Sequence, residues 1–151
     1  MATSIDRLRR FAAMPRNDRA VAVAALILVP AIWVALRLLG YKATRRILSR
    51  RIEACEHPEC GSVARQTANL VNAASRAWGL PRCCLARSLT LQRLLASRGV
   101  PTDVRIGVSL DGGQLVAHAW VEHLGKVIND SITVVNSYAA LETDLGHSGL
   151  P

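Results

Sequence analysis

Two adjacent cysteines, Cys83 and Cys84, stand at the start of a segment whose leucines recur at helical spacing and which ends at Gly99. This pattern predicts a helix with Cys84 in its first turn. The free N–H groups and the positive dipole end of such a helix stabilise a thiolate and can hold an oxyanion. Cys84 is therefore a candidate nucleophile, and a buried core thiol is the alternative.

A histidine and an aspartate follow on two strands that the sequence joins into a hairpin. The segment around "AHAWVE" and the segment around "KVIND" both have strand character, with "HLG", residues 123–125, between them. If these three residues form the loop, Glu122 faces Lys126 and His118 faces Asp130. The pairing of opposite charges supports this register, because a slip of one residue would separate them.

The same register gives His118 and Asp130 apolar neighbours on their face of the sheet, Val116, Trp120 and Ile128. We therefore expect this face to pack on the helix that bears Cys84. A histidine and an aspartate buried there must satisfy each other or do chemistry, since an unpaired buried charge is costly. The alternatives are a satisfied His–Asp bond and a triad of nucleophile, base and orienting carboxylate.

The cysteine segment and the hairpin need further elements to hold them. A helix is predicted from Ser62 to Trp78, ending at Gly79, and a strand is predicted over 104–110 before the turn at "DGG". Residues 1–60 are interpreted as a hydrophobic and basic helical segment with a linker, and residues 61–151 as the domain that carries the site.

An uncharged apolar run, residues 20–36, lies between arginine-rich flanks. Its length is at the lower limit for a membrane span, so it could cross a membrane, lie at a membrane surface or form a core helix.

The net charge of +8 is concentrated in the first third of the chain. Such a charge run is either a solvated helical face or a surface that attracts an anionic membrane or an acidic partner. With few aromatic residues, the chain does not resemble a base-stacking nucleic-acid platform.

Four cysteines without a convincing secretion signal predict reduced thiols and a cytoplasmic protein. Cys55, His57 and Cys60 could contribute zinc ligands, but a structural zinc site needs a fourth ligand and the sequence offers no matching second pair. A polar linker explains "CEHPEC" equally well, and we expect no metal and no cofactor. Cys83 is interpreted as a passive neighbour of Cys84, because vicinal cysteines form only a strained bridge.

The stretch "CLARSLTLQRLLASRGVPTDVRIGV", followed by "AHAWVE" and "GKVIND", resembles the leader peptidases of lasso-peptide biosynthesis, which are the stand-alone protease half of the split maturation protein. The resemblance covers residues 80–130 and extends more loosely to the N-terminal part. It implies an α+β fold with a transglutaminase-like or papain-like core, in which the cysteine helix packs on a small antiparallel sheet. It also implies that Cys84 is the nucleophile, His118 the general base and acid, and Asp130 the residue that orients His118.

The activity implied by the resemblance is removal of the leader from a ribosomally made lasso precursor at the leader–core junction. The implied partners are that precursor, a separate leader-recognition protein and an ATP-dependent cyclase. We add Trp120 as a candidate substrate-binding residue and membrane-surface association as an expectation. The alternatives are a transglutaminase-like acyl transferase, which would pass the same acyl-enzyme to an amine, and a non-catalytic peptide-binding scaffold.

Overall fold

The computed structural model describes residues 12–48 and 60–141, and within them a helical layer packs on one small sheet. The sheet has four strands in the order β3-β2-β1-β4, and every neighbouring pair is antiparallel. The predicted α+β class is confirmed. The elements in chain order are α1 (Arg16–Leu48), α2 (Cys60–Trp78), α3 (Cys84–Ala96), β1 (Asp103–Asp111), β2 (Gln114–His123), β3 (Lys126–Val127), α4 (Ile132–Val135) and β4 (Ala139–Ala140).

The apolar run of the sequence lies in α1, where one stripe of small and branched side chains is buried. Val21, Ala25 and Val29 recur every fourth residue, so they lie on one helical face. They share a core with apolar residues of α2 and α3. A non-helical backbone at Gly40, with φ 75° and ψ 174°, interrupts α1 before its basic end.

The other side of α1 is apolar and exposed, so the helix meets two different environments. Ile27 is 63% exposed and Leu38 is 78% exposed. By length and composition α1 could cross a membrane, but it lies near the N-terminus and part of its apolar run is buried in the core. Core packing and surface exposure therefore occur on the same helix. The division of the chain at residue 60 stays a prediction.

The hairpin between β2 and β3 has a tighter turn than the sequence suggested. Only Leu124 and Gly125 form the turn, with φ values of 50° and 72°. Two consecutive positive φ values are typical of the type I′ turn that matches the twist of paired strands. Glu122 consequently faces Val127, and His123 faces Lys126. The predicted register, which paired Glu122 with Lys126, is wrong by one residue.

This shift moves the side chains of the last strand to the opposite face, since neighbouring strand residues alternate between faces. Ile128 donates its N–H to the Val121 carbonyl at 3.0 Å and joins the core cluster that contains Val121. The register predicted from the sequence also pairs Trp120 with Ile128 and Val116 with Ile132. Both pairings are wrong, because Ile128 lies in the core cluster and Ile132 begins α4.

The helix α3 packs on the Val121 face of the sheet and not on the His118 face. Val104, which pairs with Val121 on β1, contacts the cluster that contains Ala86 and Leu89 of α3. The expectation that α3 packs on the face of His118 and Trp120 is therefore wrong. On that face, Trp120 and Tyr138 both pack against Gly107.

Candidate active site

His118 and Asp130 are in direct contact. His118 Nε2 lies 2.8 Å from Asp130 Oδ2, and both side chains are mostly buried. An ionised carboxylate can only accept hydrogen bonds, so Nε2 carries the proton that it donates to Asp130. In the neutral imidazole this leaves Nδ1 as the unprotonated nitrogen. The contact therefore orients the ring and fixes which nitrogen can accept a proton.

Asp130 reaches His118 because the chain leaves the sheet just before it. Asn129, which is buried, uses its side chain where another strand residue would use its backbone: Oδ1 accepts from the Val121 N–H at 2.8 Å. Its Nδ2 donates to Ser88 Oγ at 3.2 Å, and its carbonyl accepts from Asn72 Nδ2 at 3.0 Å. Asn129 thus ties the end of the hairpin to α2 and α3, and places Asp130 at the end of the ladder.

Arg87 holds the same carboxylate oxygen from the other side. Its Nη2 donates to Asp130 Oδ2 at 2.8 Å. Burial raises the pKa of Asp130, but the hydrogen bond from His118, the bond from the Ser131 N–H and the charge of Arg87 outweigh it and hold that pKa below its ordinary value. Asp130 is therefore ionised at neutral pH, as an orienting carboxylate must be.

Cys84 is the first residue of α3, with Cys83 at the N-cap position, as the sequence predicts. The N–H groups of the first helical turn have no partner within the helix, and that of Cys84 is among them. Cys84 lines a cleft of about 840 Å³ together with Arg87, His118 and Asp130. Because Cys84 and Arg87 are three residues apart, they lie on one face of α3.

The cleft brings the three predicted residues to one place but not into one hydrogen-bonded chain. Within residues 12–48 and 60–141, no hydrogen bond joins Cys84 Sγ to the His118 ring. Such contacts are often long before substrate binds and tighten in the complex. The arrangement supplies a thiol at a helix start, an oriented imidazole and an ionised carboxylate around one cleft.

The two cysteines differ in their surroundings. Cys83 Sγ lies 3.1 Å from Ser75 Oγ of α2, which gives this thiol a structural partner. Both thiols are free. Cys84 is therefore the better candidate nucleophile, because the thiol of Cys83 is hydrogen-bonded to Ser75 of α2.

Two aromatic rings, those of Tyr138 and Trp120, pack near the His118 imidazole. The Tyr138 ring stacks on His118 with centroids 5.1 Å apart, and the Trp120 ring is 6.4 Å away. Trp120 Nε1 donates to Glu122 Oε1 at 2.9 Å, and Arg105 bonds the other carboxylate oxygen of Glu122. Trp120 is only 2% exposed and is not among the residues that line the cleft. Its burial does not fit the expectation that it contacts substrate, and its position indicates that it packs beside His118 instead.

Three residues of this arrangement have no role in the sequence-based prediction: Arg87, Asn129 and Tyr138. Arg87 had a sequence signal, since it follows Cys84 by three residues on the same helix. Asn129 precedes Asp130 directly, and a buried amide can end a strand by bonding its backbone. Nothing local in the sequence indicates Tyr138, because its contact with His118 depends on the path of the chain after β3.

The structure gives no support for a metal centre in the part of the chain that it describes. Within residues 12–48 and 60–141, no group of three His, Cys, Asp or Glu side chains is placed to hold a metal ion. Cys55 and His57 lie outside the described residues. Cys60 is disulfide-bonded, so the expectation of four reduced thiols is wrong for this residue. The thiol count therefore no longer argues for a cytoplasmic protein.

Comparison with known proteins gives one match. Residues 25–143 match the family model described as "Transglutaminase-like superfamily". This range begins within α1 and includes α3 and all of the sheet. No curated protein and no solved structure matches the chain.

Proposed function

The chain belongs to the transglutaminase-like superfamily, and from this premise we propose that it is a cysteine peptidase that removes the leader from a lasso-peptide precursor. This superfamily includes cysteine peptidases and acyl transferases. The observation that carries a catalytic function is the 2.8 Å contact between His118 and Asp130 in the cleft that Cys84 also lines. The resemblance of "CLARS", "AHAWVE" and "IND" to lasso leader peptidases carries the substrate class.

In the proposed reaction, Cys84 Sγ attacks the carbonyl carbon of the scissile bond while His118 Nδ1 takes the thiol proton. The Cys84 backbone N–H stabilises the oxyanion, because it is free at the start of α3. The C–N bond then breaks, and His118 returns the proton to the leaving amine. Water next attacks the thioester with His118 as base, which releases the leader carboxylate and restores the thiol. Asp130 keeps the ring in the tautomer that these steps need.

The proposed partners follow from this reaction. The precursor supplies the leader–core junction, a separate recognition protein delivers the leader, and an ATP-dependent cyclase receives the freed core amine. We place the reaction in the cytoplasm, where a ribosomally made precursor is first available. The enzyme needs no metal or cofactor in this scheme, since thiol, imidazole and carboxylate supply all the groups.

We also propose that the enzyme works at an anionic membrane surface. The exposed apolar side chains of α1 would enter the interface. Arg37 and Lys42 on the same helix, together with Arg46 in its last turn, would face the anionic headgroups. Part of the opposite face of α1 is buried against α2 and α3, so this helix would lie on the membrane without leaving the fold.

The test of the proposed function compares two single-cysteine variants on a precursor with its recognition protein present. Cys84→Ala should abolish cleavage, whereas Cys83→Ala should cleave close to the wild-type rate, and mass spectrometry of the products measures both. Normal processing by Cys84→Ala would end the proposal. Adding a competing amine distinguishes the acyl transferase, which would give an amide adduct of the leader instead of a free carboxylate.

The rate of cysteine alkylation distinguishes an enzyme with a reactive Cys84 from the third alternative, a non-catalytic scaffold. Iodoacetamide at neutral pH should modify Cys84 faster than Cys83, because only the thiol of Cys83 has Ser75 as a partner. Absence of modification at Cys84 in the folded protein would favour the scaffold.

A further inference from the structure

One backbone edge of the N-terminal half of β2, beside the cleft, is paired with no strand among the residues that the structure describes. β3 pairs only with Glu122 and His123, and Ile128 extends the contact to Val121. On its other side β2 is paired with β1 along its whole length. In the described part of the chain, β3 covers this edge at one end of β2 only, and no strand pairs with the end that approaches the cleft.

The hydrogen bonds of Val121 show which residues present their backbone at this edge. Val121 donates to Asn129 Oδ1 and accepts from the Ile128 N–H, so its N–H and carbonyl point away from β1. Alternate residues of a strand point the same way, which assigns the same direction to Ala119, Ala117 and Leu115. The carbonyl of Ala119 is satisfied by Ser88 Oγ at 3.1 Å.

The backbone groups of Leu115 and Ala117 have no such partner. No residue within 12–48 and 60–141 bonds their N–H or carbonyl groups on this side. Both residues line the cleft with Cys84 and His118. An unpaired strand edge is a template for another extended chain, and proteins normally cover or blunt such edges. This one is neither covered by another described strand nor interrupted by proline.

We propose that the precursor binds as an added antiparallel β-strand on the edge of β2, bonding the backbones of Leu115 and Ala117. This inference rests on the proposed function, because it names how the substrate of that site is held. The added strand would continue the line of β3 beyond the point where Asn129 turns the chain away. A peptide on this edge would lie in the cleft that Leu115 and Ala117 line together with Cys84 and His118. Recognition through the main chain fixes the peptide in register while leaving most side chains of the junction free to vary.

A backbone scan of the substrate tests this binding mode. Precursors carry a single N-methyl amide at each position within three residues of the scissile bond, and the scissile amide itself stays unmodified. Strand addition predicts a period of two: alternate amides that face the edge should raise KM about tenfold when methylated, and the amides between them should not. The intervening positions are the matched controls. Replacing the same amides by esters removes the N–H without adding a methyl group and should reproduce the pattern.

A flat profile, with no N-methyl position affecting KM, would overturn strand addition while leaving the peptidase intact. Loss of cleavage for the unmodified precursor, or cleavage by Cys84→Ala, would instead contradict the proposed function. The two failures are therefore distinguishable.

An enzyme variant gives a second measurement. Ala117→Pro removes an N–H that points away from β1 and so leaves the β1 ladder intact. We expect KM for the precursor to rise about tenfold while Cys84 is alkylated by iodoacetamide at the wild-type rate. An unchanged KM in a folded variant, checked by circular dichroism, would count against the proposal. If the variant does not fold, the substrate scan decides alone.

Discussion

His118 Nε2 lies 2.8 Å from Asp130 Oδ2 although the two residues are not partners in the β-ladder. The ladder between β2 and β3 ends at Val127, and the side chain of Asn129 takes the bond that a further strand residue would have made. The bend at Asn129 brings the carboxylate back to the imidazole. The contact therefore depends on how β3 ends and not on its register.

Replacing the carboxylate should slow the chemistry without dismantling the site. Asp130→Asn keeps the size of the side chain but lets the amide present an N–H to the ring, which favours the wrong tautomer of His118. We expect kcat/KM for precursor cleavage to fall between about 100-fold and 10,000-fold. Asp111→Asn, at the exposed end of β1, is the matched control and should cleave normally. Equal rates for the two variants would show that Asp130 does not act through His118.

The lowered pKa of Asp130 predicts how stability depends on pH. A carboxyl group whose pKa is lower in the folded than in the unfolded state stabilises the fold above the unfolded value, about 3.9 for Asp, and this contribution is lost as the pH falls through the folded value. Urea unfolding of wild type and Asp130→Asn between about pH 6.5 and about pH 3 measures it. The advantage of the wild type should be constant near neutral pH and should shrink below about pH 4. An advantage that grows as the pH falls below about 4 would contradict the assigned direction.

Leu124 offers a test of the two-residue turn. It has φ 50°, a left-handed backbone conformation that is unfavourable for leucine. Its side chain is 82% exposed, so packing does not offset this strain. Leu124→Asn creates the Asn-Gly pair that type I′ turns prefer. We expect it to stabilise the protein by about 0.5–1 kcal/mol, measured as a rise of about 1–4 °C in Tm.

The control for this turn is Leu110→Asn, in an exposed strand position where no positive φ needs relief. It should give no such gain. Destabilisation by Leu124→Asn would indicate that Leu124 makes contacts the turn does not explain.

If α1 attaches the protein to a membrane, a negative charge on its exposed side should weaken binding, whereas the same charge elsewhere on the surface should not. Leu38→Glu places a carboxylate on the exposed side of α1, and Leu110→Glu places one on a similarly exposed leucine of β1. With vesicles that contain anionic lipid, we expect Leu38→Glu to weaken binding at least about tenfold and Leu110→Glu to bind like wild type. Co-sedimentation measures both. If neither change affects binding, α1 is not the attached surface.

The sequence was sufficient to predict α2, α3, β1 and β2, because each of them has a local signal, but it did not predict α4 or β4. Leucine periodicity predicted α3, and Asp111 does face Gln114 across the predicted "DGG" turn. The register of the hairpin between β2 and β3 could not be predicted in this way. A leucine at positive φ is disfavoured, so a three-residue loop that avoided it and paired Glu122 with Lys126 was the simpler expectation.

The sequence correctly predicted that His118 and Asp130 lie close together, but the register from which this was inferred is incorrect. The predicted route was a cross-strand pair, whereas the structure uses the buried bonds of Asn129 to Ser88 and Asn72, which lie 41 and 57 residues away in the chain. Such bonds have no local sequence signal. The bond from the Arg87 guanidinium to a carboxylate 43 residues away has no local signal either, although the position of Arg87 three residues after Cys84 does. Spacing indicates which residues share an element, and only the tertiary structure shows which of them share a partner.

Gly107 leaves space for the aromatic residues that pack beside the His118 imidazole. A Cβ built at this position would come within 2.8 Å of the Trp120 ring and 2.9 Å of Tyr138 Cβ, and these two aromatic residues flank His118. Even alanine would therefore displace Trp120 or Tyr138, and both of these rings stack on the imidazole. The orientation of the His118 ring therefore depends, through two neighbouring aromatic residues, on the absence of a side chain at Gly107.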